Sequence, residues 1–87
     1  MIQIQGYKEV TYSGLQKEMD VKFENTELTE IEVAIAVKVK STATVKNAFR
    51  KDSQIVSDEV MTNIMKVIGV DGFILWVNAK RFYYIKQ

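Results

Sequence analysis

The chain has no cysteine, no histidine and no proline. Without cysteine there is no disulfide framework, no thiolate nucleophile and no thiolate metal site. Without histidine it lacks the commonest general base and the commonest zinc ligand. The absence of proline fits regular elements joined by Gly, Asn and Ser turns. Long apolar runs are missing too: Val33–Val37 and Phe73–Val77 fall far below the ~20 residues of a membrane span. The start, Met1 to Gln5, has neither the basic residues nor the apolar stretch of a secretory signal, so a cytoplasmic location is expected, with no membrane partner.

What is present is ordinary for a small globular protein. The 87 residues are 47% hydrophobic and 26% charged, enough for one compact domain spanning 1–87. The net charge of +1 hides an asymmetry. Residues 1–37 carry three lysines against seven acids, a balance of −4, and residues 38–87 carry nine Lys/Arg against four acids, a balance of +5. From Lys38 to Lys51 there are five basic residues (Lys38, Lys40, Lys46, Arg50 and Lys51) and no acid. Such polarity marks a contact with nucleic acid or an acidic partner, unless the charges are paired within the fold.

Ile31–Val45 sets the expected architecture. Ile31, Val33, Ile35, Val37, Val39, Ala43 and Val45 are apolar at every second position, with Ser41 the one break, and β-branched residues suit a strand. The competing signal is Thr29-x-x-Glu32, a capping-box pattern that would open a helix over about 30–50. The β-branched density favours the strand. Residues 2–12 and Leu15–Glu24 also alternate and read as strands, with a turn at Ser13-Gly14. Pairing Val21 with Ile35 would set Glu18 opposite Lys38 and Asp20 opposite Ala36. Ser57-Asp58-Glu59, followed by Met61, Ile64, Met65 and Ile68 and then Gly69, predicts a helix over 57–68. Phe73–Val77 reads as an inner strand, Asn78-Ala79-Lys80 as a hairpin loop, and Arg81–Lys86 as the closing strand. The expected fold class is therefore α+β: a mainly antiparallel sheet, order β-β-β-α-β-β, with one helix on one face.

Catalytic chemistry is poorly supplied. Asp20, Asp52 and Asp71 sit in no recognised pair, and Ser13, Ser41, Ser53 and Ser57 have no histidine to activate them. Gly69-Val-Asp-Gly72 closes a helix, whereas a phosphate-binding glycine loop opens one, so it reads as a C-cap and turn. No calcium-loop pattern occurs. No enzyme activity, metal or cofactor is expected.

The remaining classes act through a surface. The first expectation is a noncatalytic protein-binding module, an inhibitor or adaptor, working through a sheet edge or as a homodimer. The uncharged start of the first strand, residues 1–6, would be vulnerable to such pairing if it lay at an edge. The composition also suits an accessory protein of a phage or mobile element. The second expectation is a nucleic-acid-binding domain using Lys38, Lys40, Lys46, Arg50 and Lys51 together with the aromatic-basic segment Trp76, Lys80, Arg81, Phe82, Tyr84 and Lys86. By alternation, Phe82 and Tyr84 share one sheet face while Tyr83 and Ile85 share the other, and one of these pairs must meet the core. The third is a small-molecule binder with a pocket between helix and sheet near Trp76.

Overall fold

The computed structural model describes residues 3–50 and 56–87. The chain is α+β, but the described residues form four helices where one was expected. The order is β1 (Tyr7–Val10), α1 (Tyr12–Asn25), α2 (Glu30–Ala36), α3 (Thr42–Phe49), α4 (Asp58–Ile68), β2 (Gly72–Val77) and β3 (Lys80–Lys86). The strands form one antiparallel sheet in the order β1-β3-β2.

Two expected strands are helices. Leu15–Glu24 lies within α1, which opens with Thr11 accepting from the Gly14 amide at 3.0 Å. Leu15 and Met19 are fully buried and Phe23 packs beside them, a four-residue spacing that a period of two also satisfies. Val21 separates the two readings, because a strand would turn it inward and it is 51% exposed. Ser13-Gly14 is thus the first turn of α1. Ile31–Val45 divides into α2 and α3. Here the capping box prevails over β-propensity: Glu32 donates its amide to Thr29 Oγ1 at 3.2 Å, and the Thr29 amide donates to Glu32 Oε1 at 2.9 Å. Val33, Ala34 and Val37 form one buried stripe, while Ile31 and Ile35, expected on the same strand face, are exposed. The hairpin pairing Glu18 with Lys38 therefore does not exist.

The C-terminal half follows its sequence more closely. Helix α4 has Ser57 as N-cap and buries Met61, Ile64, Met65 and Ile68. Gly69, at φ +86°, ends it, and Val70 donates back to the Met65 carbonyl at 2.9 Å. The β2–β3 hairpin turns on Asn78 (φ +52°) and Ala79 (φ +61°), the positive pair of a type I′ turn. Strand β3 is central and β2 is an edge, not the inner strand expected. At the N-terminus, Gln5 and Gly6 form a turn, and the strand begins only at Tyr7. The expected uncharged strand over the first six residues is thus absent at 3–6, and residues 1–2 lie outside the described residues. Tyr83 and Ile85 face the helices, as alternation requires of one of the two pairs.

The two readings of α1 differ in what truncation costs. In the helix, Met19→Ala removes a fully buried side chain and costs roughly 2–5 kcal/mol. Val21→Ala stays within about 0.5 kcal/mol of the parent, as for an ordinary surface site. Urea denaturation of the two variants checks this, and equal losses would favour the strand.

Candidate nucleic-acid interface

Helices α2 and α3 pack against each other across a connection formed by residues 37–41. The geometry of that connection is specified at each end. At its start, Lys38 adopts φ +60°, its amide donates to the Ile35 carbonyl at 3.1 Å, and the Val39 amide donates to Ala34 at 3.1 Å. This is the two-bond left-handed C-terminal closure, built here on a lysine where α4 uses Gly69 for its own left-handed end. At its end, Ser41 Oγ accepts from the Ala43 amide at 3.1 Å and starts α3. Two short helices packed on each other across a five-residue connection thus form one helix pair.

The unit is held from behind. Val45 and Ala48 of α3 are fully buried. Gln16 Nε2 donates to the Asn47 carbonyl at 3.3 Å, and the Phe23 and Phe49 rings stack with centroids 4.8 Å apart, fixing α3 to α1. Helix α4 packs on α2. The opposite face of α3 presents Ala43 and Lys46 to solvent, three residues apart on the helix, and Arg50 is exposed just past its end, in extended conformation. Lys38 and Lys40 are exposed in the turn that precedes it. Among the described residues, Lys38, Lys40 and Lys46 take part in no ion pair. Asp20 and Glu30 line a surface depression with Lys46 and Arg50, so the positive face has an acidic border toward α1. Lys51 lies outside the described residues.

The C-terminal candidates lie on the hairpin and serve mainly its structure. Arg81 forms an ion pair with Asp58, donates to the Val56 carbonyl at 3.2 Å, and sits 5.8 Å from the Trp76 ring centroid and 5.5 Å from that of Tyr83. Trp76 Nε1 donates to the same Asp58 carboxylate, although its ring remains 57% exposed. This network ties the hairpin to the start of α4. Burial pushes the Tyr83 hydroxyl above its ordinary pKa, with the Arg81 guanidinium pulling the other way. Burial also raises Tyr12, whose ring lies 5.2 Å from that of Tyr83.

On the sheet face away from the helices, Tyr84 is buried and stacks on Phe73 at 5.2 Å, with Phe82 half-buried beside it. Tyr84 therefore offers no free ring for a base. Lys86 approaches Asp71 at 3.7 Å, and Asp71 also accepts from the Tyr7 hydroxyl at 3.0 Å, which raises the tyrosine pKa. Lys80 is exposed beside the hairpin turn. The structure thus gathers Lys38, Lys40, Lys46 and Arg50 on one unit and leaves the hairpin set apart from it. Sequence reasoning did not single out Ala43, at the exposed start of α3; the pairing of a capping box at Thr29 with an N-cap serine at 41 was the signal for it.

Comparison with protein-family models, with curated proteins and with solved structures finds no match to this chain.

Lys38 occupies a backbone region where a β-carbon costs roughly 1–2 kcal/mol and glycine costs nothing. Glycine's extra freedom in the unfolded chain returns part of that difference. Lys38→Gly is expected to stabilise the fold by up to about 1 kcal/mol while removing a charge from the turn. Thermal unfolding of Lys38→Gly beside Lys38→Ala checks this, the alanine variant gaining nothing.

Proposed function

We propose that this chain is a noncatalytic double-stranded DNA-binding domain that places α3 in the major groove, with α2 crossing the backbone. The observation that carries the reading is the packed α2–α3 helix pair, a connection that a helix–turn–helix would use, with Lys38, Lys40 and Lys46 exposed and unpaired among the described residues. A major groove about 12 Å wide admits an α-helix, and the second helix of such a unit is the one that enters it. The N-terminal end of α3, with Ser41, Thr42 and Ala43, carries the positive end of the helix dipole and small side chains that allow close approach to bases. Lysines in the turn and Lys46 on the outward stripe supply phosphate contacts, which give affinity without sequence information.

Single-strand recognition by the aromatic strand is less well supported, because Arg81 is engaged by Asp58 and Tyr84 is buried against Phe73. The part of the basic stretch expected to pair within a sheet is instead exposed, Lys38 and Lys40 in the α2–α3 connection and Lys46 on α3. That shift supports nucleic acid over a protein partner as the first reading.

Anisotropy of a labelled duplex between about 50 and 200 mM salt tests it. Affinity is expected to fall linearly with salt on logarithmic axes. Lys40→Ala and Lys46→Ala should each weaken binding roughly 3–30-fold and reduce the salt slope by about 1. Lys80→Ala and Lys86→Ala should change affinity less than about twofold, and all four variants should keep the parent's melting temperature. Absence of duplex binding at tens of micromolar in low salt, or equal losses from the hairpin variants, would contradict the assignment.

A further inference from the structure

The two edges of the sheet are built differently. Strand β1 is four residues long and carries Lys8 and Glu9, the short charged form that discourages pairing with another chain. Strand β2, Gly72-Phe-Ile-Leu-Trp-Val77, is six residues long with no charge. Its hydrogen-bonding phase is fixed by the Lys86 amide, which donates to the Asp71 carbonyl at 2.8 Å. In the observed register, Asp71, Phe73, Leu75 and Val77 turn their backbone groups toward β3, so Gly72, Ile74 and Trp76 turn theirs outward. Among the described residues, no strand or loop pairs with those outward groups.

We infer that β2 is a self-association edge, pairing antiparallel with β2 of a second copy of this chain to join two sheets into one. A two-fold axis at Ile74 sets Ile74 against itself, Phe73 against the partner's Leu75, and Gly72 against the partner's Trp76. Each outward residue then exchanges its amide and carbonyl bonds with the residue it faces. The side chains fit that register. A large indole, 57% exposed in the single chain, lies across a glycine with no side chain, a pairing in which an aromatic covers an edge glycine. Gly72 cannot carry a larger residue, since a β-carbon there would come within 2.4 Å of the Tyr84 carbonyl oxygen. The facing strands bring no like charges together. This pairing is independent of the DNA-binding reading. If both hold, the two-fold axis requires a site of two inverted half-sites.

The test uses the full chain without DNA, so its failure is distinct from failure to bind a duplex. Sedimentation velocity from about 10 to 500 µM should show a monomer–dimer equilibrium. Over the same range, amide hydrogen exchange at Ile74 and Trp76 should slow as dimer forms, while Leu75, already bonded to β3, stays unchanged. Trp76→Ala and Leu75→Lys should each weaken the dimer at least tenfold, and the first remains informative if the second fails to fold. A monomer throughout, a dimer whose Ile74 and Trp76 amides exchange as fast as the monomer's, or a dimer unaffected by Trp76→Ala would overturn the inference.

Discussion

Helices of seven and eight residues do not persist alone in water, because nucleating the first turn costs more than so few hydrogen bonds return. The structure depends on how α2 and α3 escape that limit. Each begins with a side-chain cap, Thr29 with Glu32 in one and Ser41 in the other, and each buries apolar residues against a longer helix. Val33, Ala34, Val37, Val45 and Ala48 are small or β-branched, so the two helices lie close to each other and to α1 and α4. Burial on one side of so short a helix leaves a narrow outward stripe. On α3 that stripe carries Ala43 and Lys46, with Arg50 exposed just beyond the helix end.

The same economy explains what could be read from the sequence. Helix α4 was legible because its cap, its apolar stripe and its closing glycine all agree. The hairpin was legible from two short apolar runs flanking a turn, although β2 proved to be an edge. The α+β class and the antiparallel sheet follow from those parts. Ile31–Val45 misled because Val33 and Val37 are buried at a spacing of four, which satisfies both periods, while exposed Ile31 and Ile35 completed a false alternation. Leu15, Met19 and Phe23 did the same in α1. In both cases the local caps were the better guide, since a cap specifies a helix start whereas β-propensity mainly reflects packing on a sheet.

The candidate residues divide along the same line. Lys38, Lys40, Lys46 and Arg50, grouped by sequence adjacency alone, are all exposed around the α2–α3 pair, Lys38 beside α4 and Lys46 and Arg50 beside α1. Arg81 and Tyr84, chosen as members of an aromatic-basic strand, hold the fold together: Arg81 ties the hairpin to α4 through Asp58, and Tyr84 completes the outer ring cluster with Phe73. Nothing in the local sequence distinguishes an arginine awaiting a phosphate from one facing an aspartate twenty-three positions earlier. Only tertiary structure makes that distinction.

In the proposed function, α3 and the turn before it form the contact surface for duplex DNA. Backbone amide chemical shifts recorded during titration with a short duplex address it residue by residue. Perturbations are expected to concentrate between Lys38 and Arg50, with β1 and β3 nearly unmoved. Perturbations centred on Trp76–Lys86, or a spectrum unchanged by duplex at saturating concentration, would contradict it.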